Sequence, residues 1–260
     1  MTAAEETLQF QTADGASHLA VMTAGNPATR LAVLFIPAAG QTRTGPERLH
    51  VRLAREWAQL GIASLRFDAA DAGDDPLVSD AAMHADSASA AALALQERYP
   101  AAGIVVAGFG RAAIGAAQAA ALLAEAGVRV HSLCLINPML GDIPMPQPQS
   151  WWQRIRQIVC DCDARTSAAS APAQDRAGDD AAVWRSLPSL LQQQNMRLLV
   201  ITGGGERAYA TLETLAERDR AWRRALRNGS TLRLDGVDRY LMRPAHWQVV
   251  NGWFQRQLAG

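Results

Sequence analysis

The chain of 260 residues carries 25 basic and 25 acidic residues, and its formal net charge of zero removes the long-range field that would recruit nucleic acid or an anionic membrane. Every residue in the Lys/Arg class is an arginine, so no Schiff base, P-loop lysine or Ser-Lys dyad can be built from it. The length suits a single domain, residues 1–260, with one sizeable core.

The β-type runs Thr7 to Thr12 and His18 to Thr23 flank Ala13-Asp14-Gly15-Ala16, a turn signal, and predict an edge hairpin. Leu31 to Ile36 predicts a third strand, Pro46 to Leu60 a helix, Ala63 to Phe67 a fourth strand and Ser79 to Arg98 a second helix. Strands at Ile104 to Ala107 and Ser132 to Ile136 enclose a helix from Arg111 to Ala126. Further on, strands at Leu198 to Thr202 and Thr231 to Leu234 alternate with helices at Tyr209 to Arg227 and Pro244 to Leu258. Such alternation requires a mostly parallel sheet covered on both faces, which makes the fold class α/β with eight strands.

One region breaks the alternation. Residues 139–195 contain Pro144, Pro146 and Pro148, then Trp151, Trp152, Ile155, Ile158 and Val159 at helical spacing. The Ala/Ser/Asp tract from Asp163 to Ala182 is too poor in large apolar residues to pack by itself, and a short amphipathic piece, Val183 to Leu191, closes the excursion. This reads as a cap inserted after the sixth strand, at the sheet end where ligands bind, with a mobile middle.

Cys134, Cys160 and Cys162 cannot form a disulfide framework, and Cys160-Asp161-Cys162 lacks the second pair that a zinc knuckle needs. His18, His50, His84, His131 and His246 show no metal-binding spacing, so neither a metal nor a cofactor is expected. The N-terminus has no basic flank followed by an apolar run, and no stretch approaches eighteen uninterrupted apolar residues. A cytoplasmic protein without a transmembrane segment is the expectation.

Residues 104–115, Ile-Val-Val-Ala-Gly-Phe-Gly-Arg-Ala-Ala-Ile-Gly, describe an apolar strand, a tight turn and a helix start. In the G-x-S-x-G nucleophile elbow such a turn lifts one reactive side chain above the sheet, and here that position is Gly110. Gly108-Phe109-Gly110-Arg111-Ala112-Ala113 also resembles the dinucleotide-binding turn of potassium-transport regulatory domains. A dinucleotide site requires an acidic residue at the end of the next strand to grip the ribose; this strand ends in Asn137-Pro138.

Three further segments carry a family resemblance. Gln41-Thr42-Arg43-Thr44-Gly45, Leu65-Arg66-Phe67-Asp68 with Gly73-Asp74, and Leu135-Ile136-Asn137-Pro138 resemble the exosortase A system-associated hydrolases, α/β-hydrolase relatives of exopolysaccharide-export loci. The resemblance implies an α/β-hydrolase fold with an eight-stranded, mostly parallel sheet. It also implies a triad whose nucleophile falls on Gly110, whose acid loop falls on Gly203 to Glu206, and whose histidine falls on Arg239 in Gly236-Val237-Asp238-Arg239. Glu206 could supply the acid only with a register shift, and His246 falls one turn inside the last helix.

Without nucleophile and base, acyl transfer through an enzyme-bound ester has no agents. Backbone N–H donors do not depend on the lost side chain. They are expected from Arg111 and from the loop of Ala38, Ala39, Gly40 and Gln41, with Arg43, Arg111 and Arg239 around them as cations suited to a carboxylate or phosphate. For Arg43, Arg111 and Arg239 the alternative is a solvated surface charge or an internal ion pair with Asp68, Asp71 or Asp74. The acidic run Asp68 to Asp75 admits a magnesium reading, but its place after the fourth strand matches the loop that shapes the site mouth in the family. Three functions stay open: a non-catalytic protein binding a small acyl or anionic ligand or a protein partner, a working hydrolase or acyltransferase with an atypical site, and a dinucleotide-binding protein.

Overall fold

Eight apolar runs become eight strands: β1 (Glu5–Gln11), β2 (Ser17–Thr23), β3 (Leu31–Ile36), β4 (Ala63–Phe67), β5 (Gly103–Phe109), β6 (Val130–Ile136), β7 (Arg197–Gly203) and β8 (Ser230–Leu234). They form one sheet in the order β1-β2-β4-β3-β5-β6-β7-β8. β1 and β2 pair antiparallel, with Gln11 opposite Ser17 across the turn that Gly15 closes at φ +86°. β2 is antiparallel to β4, and all later pairs are parallel. The computed structural model describes residues 3–13, 15–69, 72, 81–140, 172–203, 206–237, 240–241 and 243–258.

Alternation of side chains sorts each central strand between two cores. Ala32, Leu34 and Ile36 of β3, with Ile104 and Val106 of β5, face α2 (Ala81–Arg98), α3 (Ala112–Glu125), α4 (Pro172–Gln193), α5 (Glu206–Arg218) and α6 (Arg220–Asn228). Leu31, Val33 and Phe35, with Val105, Ala107 and Phe109, face α1 (Leu49–Gln59) and α7 (Pro244–Leu258). Here an aromatic column runs from His50 over Phe35 (5.0 Å between centroids) and Trp57 (5.6 Å) to Phe254 (4.2 Å). Covering helices on both faces explain why the strands read as unbroken apolar runs.

Three expectations about helices need correction. The first helix starts at Leu49, not Pro46, because Glu47 (φ +48°) and Arg48 (φ +59°) adopt left-handed conformations that no α-helix can contain. The stretch from Tyr209 to Arg227 is two helices: Asp219 leaves helical geometry at φ −123°, and its carboxylate accepts the Ala221 N–H at 2.7 Å as an N-cap. Over Pro172–Gln193 the chain is one helix, so the part of the Asp163 to Ala182 tract from Pro172 onward is helical and continuous with the Val183 to Leu191 piece, with Ala181 and Trp184 buried. Alanine forms helix well without large side chains, and composition had hidden that. Trp151 to Val159 and Asp163 to Ala171 lie outside the described residues.

Helix α4 also contains Pro188, which has no N–H to give the carbonyl of Trp184 four residues before it. That carbonyl accepts the Trp222 indole N–H instead, at 3.0 Å, and the bond ties α4 to α6. Replacing Trp222 by Phe keeps most of the apolar contact but orphans a buried carbonyl, an expected loss of about 1–3 kcal/mol in a urea titration. In a Pro188→Ala background the new amide takes over the carbonyl and the same replacement is expected to cost less; equal costs in both backgrounds would contradict this account.

Candidate functional site

The close seating of α3 on β5 sets the geometry of the elbow. A Cβ on Gly108 would stand 2.4 Å from the Ala112 carbonyl oxygen and 2.7 Å from the Ala116 Cβ, so glycine alone fits. Gly110 turns the chain at φ +59°, the left-handed conformation that glycine adopts without strain. Its N–H donates to the Ile136 carbonyl at 2.9 Å, and its own carbonyl accepts the Met139 N–H at 3.0 Å. This backbone is a strand-to-helix elbow in which the raised position has no side chain. Arg111 follows, exposed, at the head of α3, which no side chain caps.

The loop after β3 lies beside it. Ala38 N–H donates to the Gln41 side-chain oxygen at 3.1 Å, and Gln41 N–H returns to the Ala38 carbonyl at 2.9 Å. Ala39 is exposed, and its N–H has no acceptor among the described residues. Gly40 holds the turn at φ +72°. Of the loop donors expected from the sequence, two are therefore engaged within the loop itself. Sequence reasoning had no signal for the Gln41 brace, since a side chain that folds back three residues leaves no periodic trace.

Arg43 donates to Asp68 through both its backbone N–H and its guanidinium. Asp68 is buried, and the pair ties the loop after β3 to the end of β4. The ion-pair alternative for Arg43 is thus the arrangement in the fold. Gly45 completes this segment at φ +67°, and a Cβ there would meet the His50 ring at 2.5 Å. The glycine of the Gln41 to Gly45 motif is required by that contact as well as by its φ. Asp71, Asp74 and Arg239 lie outside the described residues, while Glu206 is the first residue of α5.

Two contacts bring the remaining loops to the elbow. Asn137, at φ +45°, accepts the Gly203 N–H on its side-chain oxygen at 2.6 Å and joins the ends of β6 and β7. Tyr240 lies 5.7 Å from Phe109, so the turn after β8 reaches the residue preceding Gly110. Beside the elbow opens a cavity of about 510 Å³. Ala38, Ala39 and Arg111 border it at the head of α3, and Leu122 of α3 with Val183 and Leu187 of α4 make it apolar further along. The α4 residues were missed as site elements because the sequence marks them only as an amphipathic helix.

Other chemically suggestive groups are structural. Ser87 Oγ and His18 Nε2 are 3.2 Å apart but both buried at the hairpin end of the sheet. Burial pushes the Cys134 thiol up to about 12, which leaves it an inert core residue. His246 sits in the first turn of α7, where its backbone N–H bonds the Arg243 carbonyl.

No protein-family profile and no curated protein sequence matches the chain. Solved structures do. A dienelactone hydrolase from Anabaena variabilis ATCC 29413 aligns with a TM-score of 0.59 at 16% identity, covering 98% of this chain and 99% of that one. The Pyrococcus furiosus esterase Pf2001 gives 0.62 at 13% identity over 98% and 90% of the two chains. An alpha-beta serine hydrolase homologue from Coxiella burnetii gives 0.62 at 15% identity over 97% of each. The fold is therefore the α/β-hydrolase fold over nearly the full chain.

The motif glycine packs against a titratable core residue. His50 is buried on Phe35 with no partner for Nε2 among the described residues, and burial, with the Arg66 guanidinium adding to it, pushes its pKa from 6.5 down to about 4. The unfolded chain therefore binds this proton between pH 6.5 and about 4 while the folded chain does not, so stability present above pH 6.5 falls as the pH drops through that window, by about 3 kcal/mol. Urea unfolding across the window measures the slope. His50→Phe, which keeps the ring stack, is expected to flatten it; an unchanged slope would remove His50 as its source.

Proposed function

We propose that this chain is a non-catalytic α/β-hydrolase-fold protein that binds a small acyl or anionic ligand, or such a group on a partner, at the vacated elbow. The setting in this reading is related to exopolysaccharide export, as the resemblance carried by the Gln41 to Gly45 segment implies, and cytoplasmic, as the sequence led us to expect. One observation carries the reading: Gly110 keeps the left-handed elbow backbone at φ +59° and presents no nucleophile. The uncapped head of α3, the exposed Ala39 amide and the Arg111 side chain supply what such a ligand needs, positive dipole ends and a planar cation beside an apolar cavity. Ligand recognition there rests on donors that a hydrolase would use for its oxyanion.

The dinucleotide alternative has less support. The residue at the end of β6 is Asn137, whose side-chain oxygen already accepts the Gly203 N–H, and no carboxylate takes the ribose-gripping place. Metal and cofactor are absent from the proposal because no step in it requires either.

The test combines turnover with binding. Purified protein is expected to hydrolyse short-chain p-nitrophenyl esters no faster than buffer, and Gly110→Ser alone is expected not to restore activity, since Arg239 stands at the base position. Calorimetric titration with phenylacetate is expected to show weak saturable binding that Arg111→Gln weakens, and NAD and NADP are expected to give none. Turnover abolished by Glu206→Gln would support a working hydrolase with an atypical site instead. Micromolar dinucleotide binding lost in Gly110→Val would support the dinucleotide reading.

A further inference from the structure

The opposite end of the sheet, where the parallel strands begin, holds a cavity of about 610 Å³ that the elbow does not touch. It opens between the C-terminal part of α4, residues 195–198 leading into β7, and α6. Leu191, Met196 and Leu198 give it an apolar floor. On α6, Arg220, Arg224 and Asn228 line it at successive intervals of four residues, the spacing that stacks side chains on one helix face. The size lies within the range of small-molecule sites.

The two arginines are exposed and have no acidic or carbonyl partner among the described residues. Two neighbouring arginines are engaged. Arg223, off that row on the same helix, donates to the carbonyls of Ala216 and Glu217. Arg197, in the cavity wall, donates to the Gln257 carbonyl and side chain. Asp219, the residue before Arg220, accepts the Ala221 N–H on its carboxylate as the N-cap of α6. On the adjacent strand, burial and then the charges of Arg197 and Arg129 hold the His131 pKa below its ordinary value, which marks this end of the sheet as cationic. Like charges four residues apart on a helix repel, and among the described residues no ion pair offsets Arg220 and Arg224.

We propose that this cavity is a second ligand site, separate from the elbow, for a small phosphate monoester with an apolar or aromatic body. Phosphate fits better than carboxylate because two guanidinium forks face the site. A single carboxylate satisfies one fork, whereas a phosphate offers three acceptor oxygens and close to two negative charges. The apolar part lies on Leu191 and Met196, and Asn228 and Gln192 border the rim. Trp222 is buried next to the lining residue Ala221, and its indole N–H bonds α6 to α4, the two helices that wall the cavity, so it serves as a reporter of occupancy.

Phenyl phosphate is the probe, with benzoate as the singly charged control and benzyl alcohol as the neutral one. In a proton–nitrogen NMR titration the Trp222 indole signal is expected to shift saturably with phenyl phosphate, with benzoate about tenfold weaker or more and benzyl alcohol without saturation. The double variant R220Q/R224Q is expected to weaken phenyl phosphate at least about tenfold, while the charge-matched R218Q/R227Q, whose residues do not line the cavity, leaves it within about twofold. All four positions are exposed, so folding is preserved and is checked by the unshifted thermal midpoint. No saturable shift of Trp222, or equal weakening by the two double variants, overturns the proposal.

Discussion

The approach of α3 to β5 is the constraint on which the site depends. At Gly108 the helix backbone comes so close that a single methyl group would collide with Ala112 and Ala116. The buried face of α3 is alanine throughout its first two turns, Ala112, Ala113, Ala116 and Ala117, which lets the helix lie low on the sheet. Only with the helix seated there does the chain have to reverse in two residues, and only then does the head of α3 come to the end of β5. The positive φ of Gly110 follows from this seating. The elbow geometry needs no side chain at Gly110, because packing between strand and helix maintains it.

Around that elbow three polar side chains hold the loops. Gln41 closes the turn after β3 on itself, Asp68 binds Arg43 across to β4, and Asn137 joins β6 to β7. Each satisfies backbone or charged groups that would otherwise be buried or left without a partner. Their combined effect is selective. Arg43 is drawn into the scaffold and Ala38 loses its free amide, while Ala39 and Arg111 still border the cavity between α3 and α4. The cation available there is the one that follows the vacant position directly in sequence.

Much of the fold was legible because strands buried on both faces leave long apolar runs, and the eight of them alternate with helical patterns in a way few architectures allow. The elbow was legible for a related reason, since Gly108, Gly110 and Gly115 punctuate an apolar strand and an alanine helix at fixed offsets. What stayed hidden was carried by single side chains. Asp219 divides a continuous helical pattern by capping one residue, and Glu47 and Arg48 delay α1 through backbone angles that no hydropathy pattern records. The Trp222 to Trp184 bond, across 38 residues, answers a missing donor at Pro188 and could not be inferred from either residue alone. Long-range partners of this kind are set by the assembled layers, so sequence spacing does not contain them.

If the elbow carries no nucleophile, the protein cannot form a covalent adduct on a serine there, whatever ligand it holds. Incubation with a fluorophosphonate and intact-mass measurement tests this directly, because the reagent phosphonylates an activated serine at any position in the chain. The account gives an unchanged mass at reagent concentrations that fully label an active serine hydrolase run in parallel. A stoichiometric adduct, mapped by peptide mass to one serine lining the cavity between α3 and α4, such as Ser186, would contradict it.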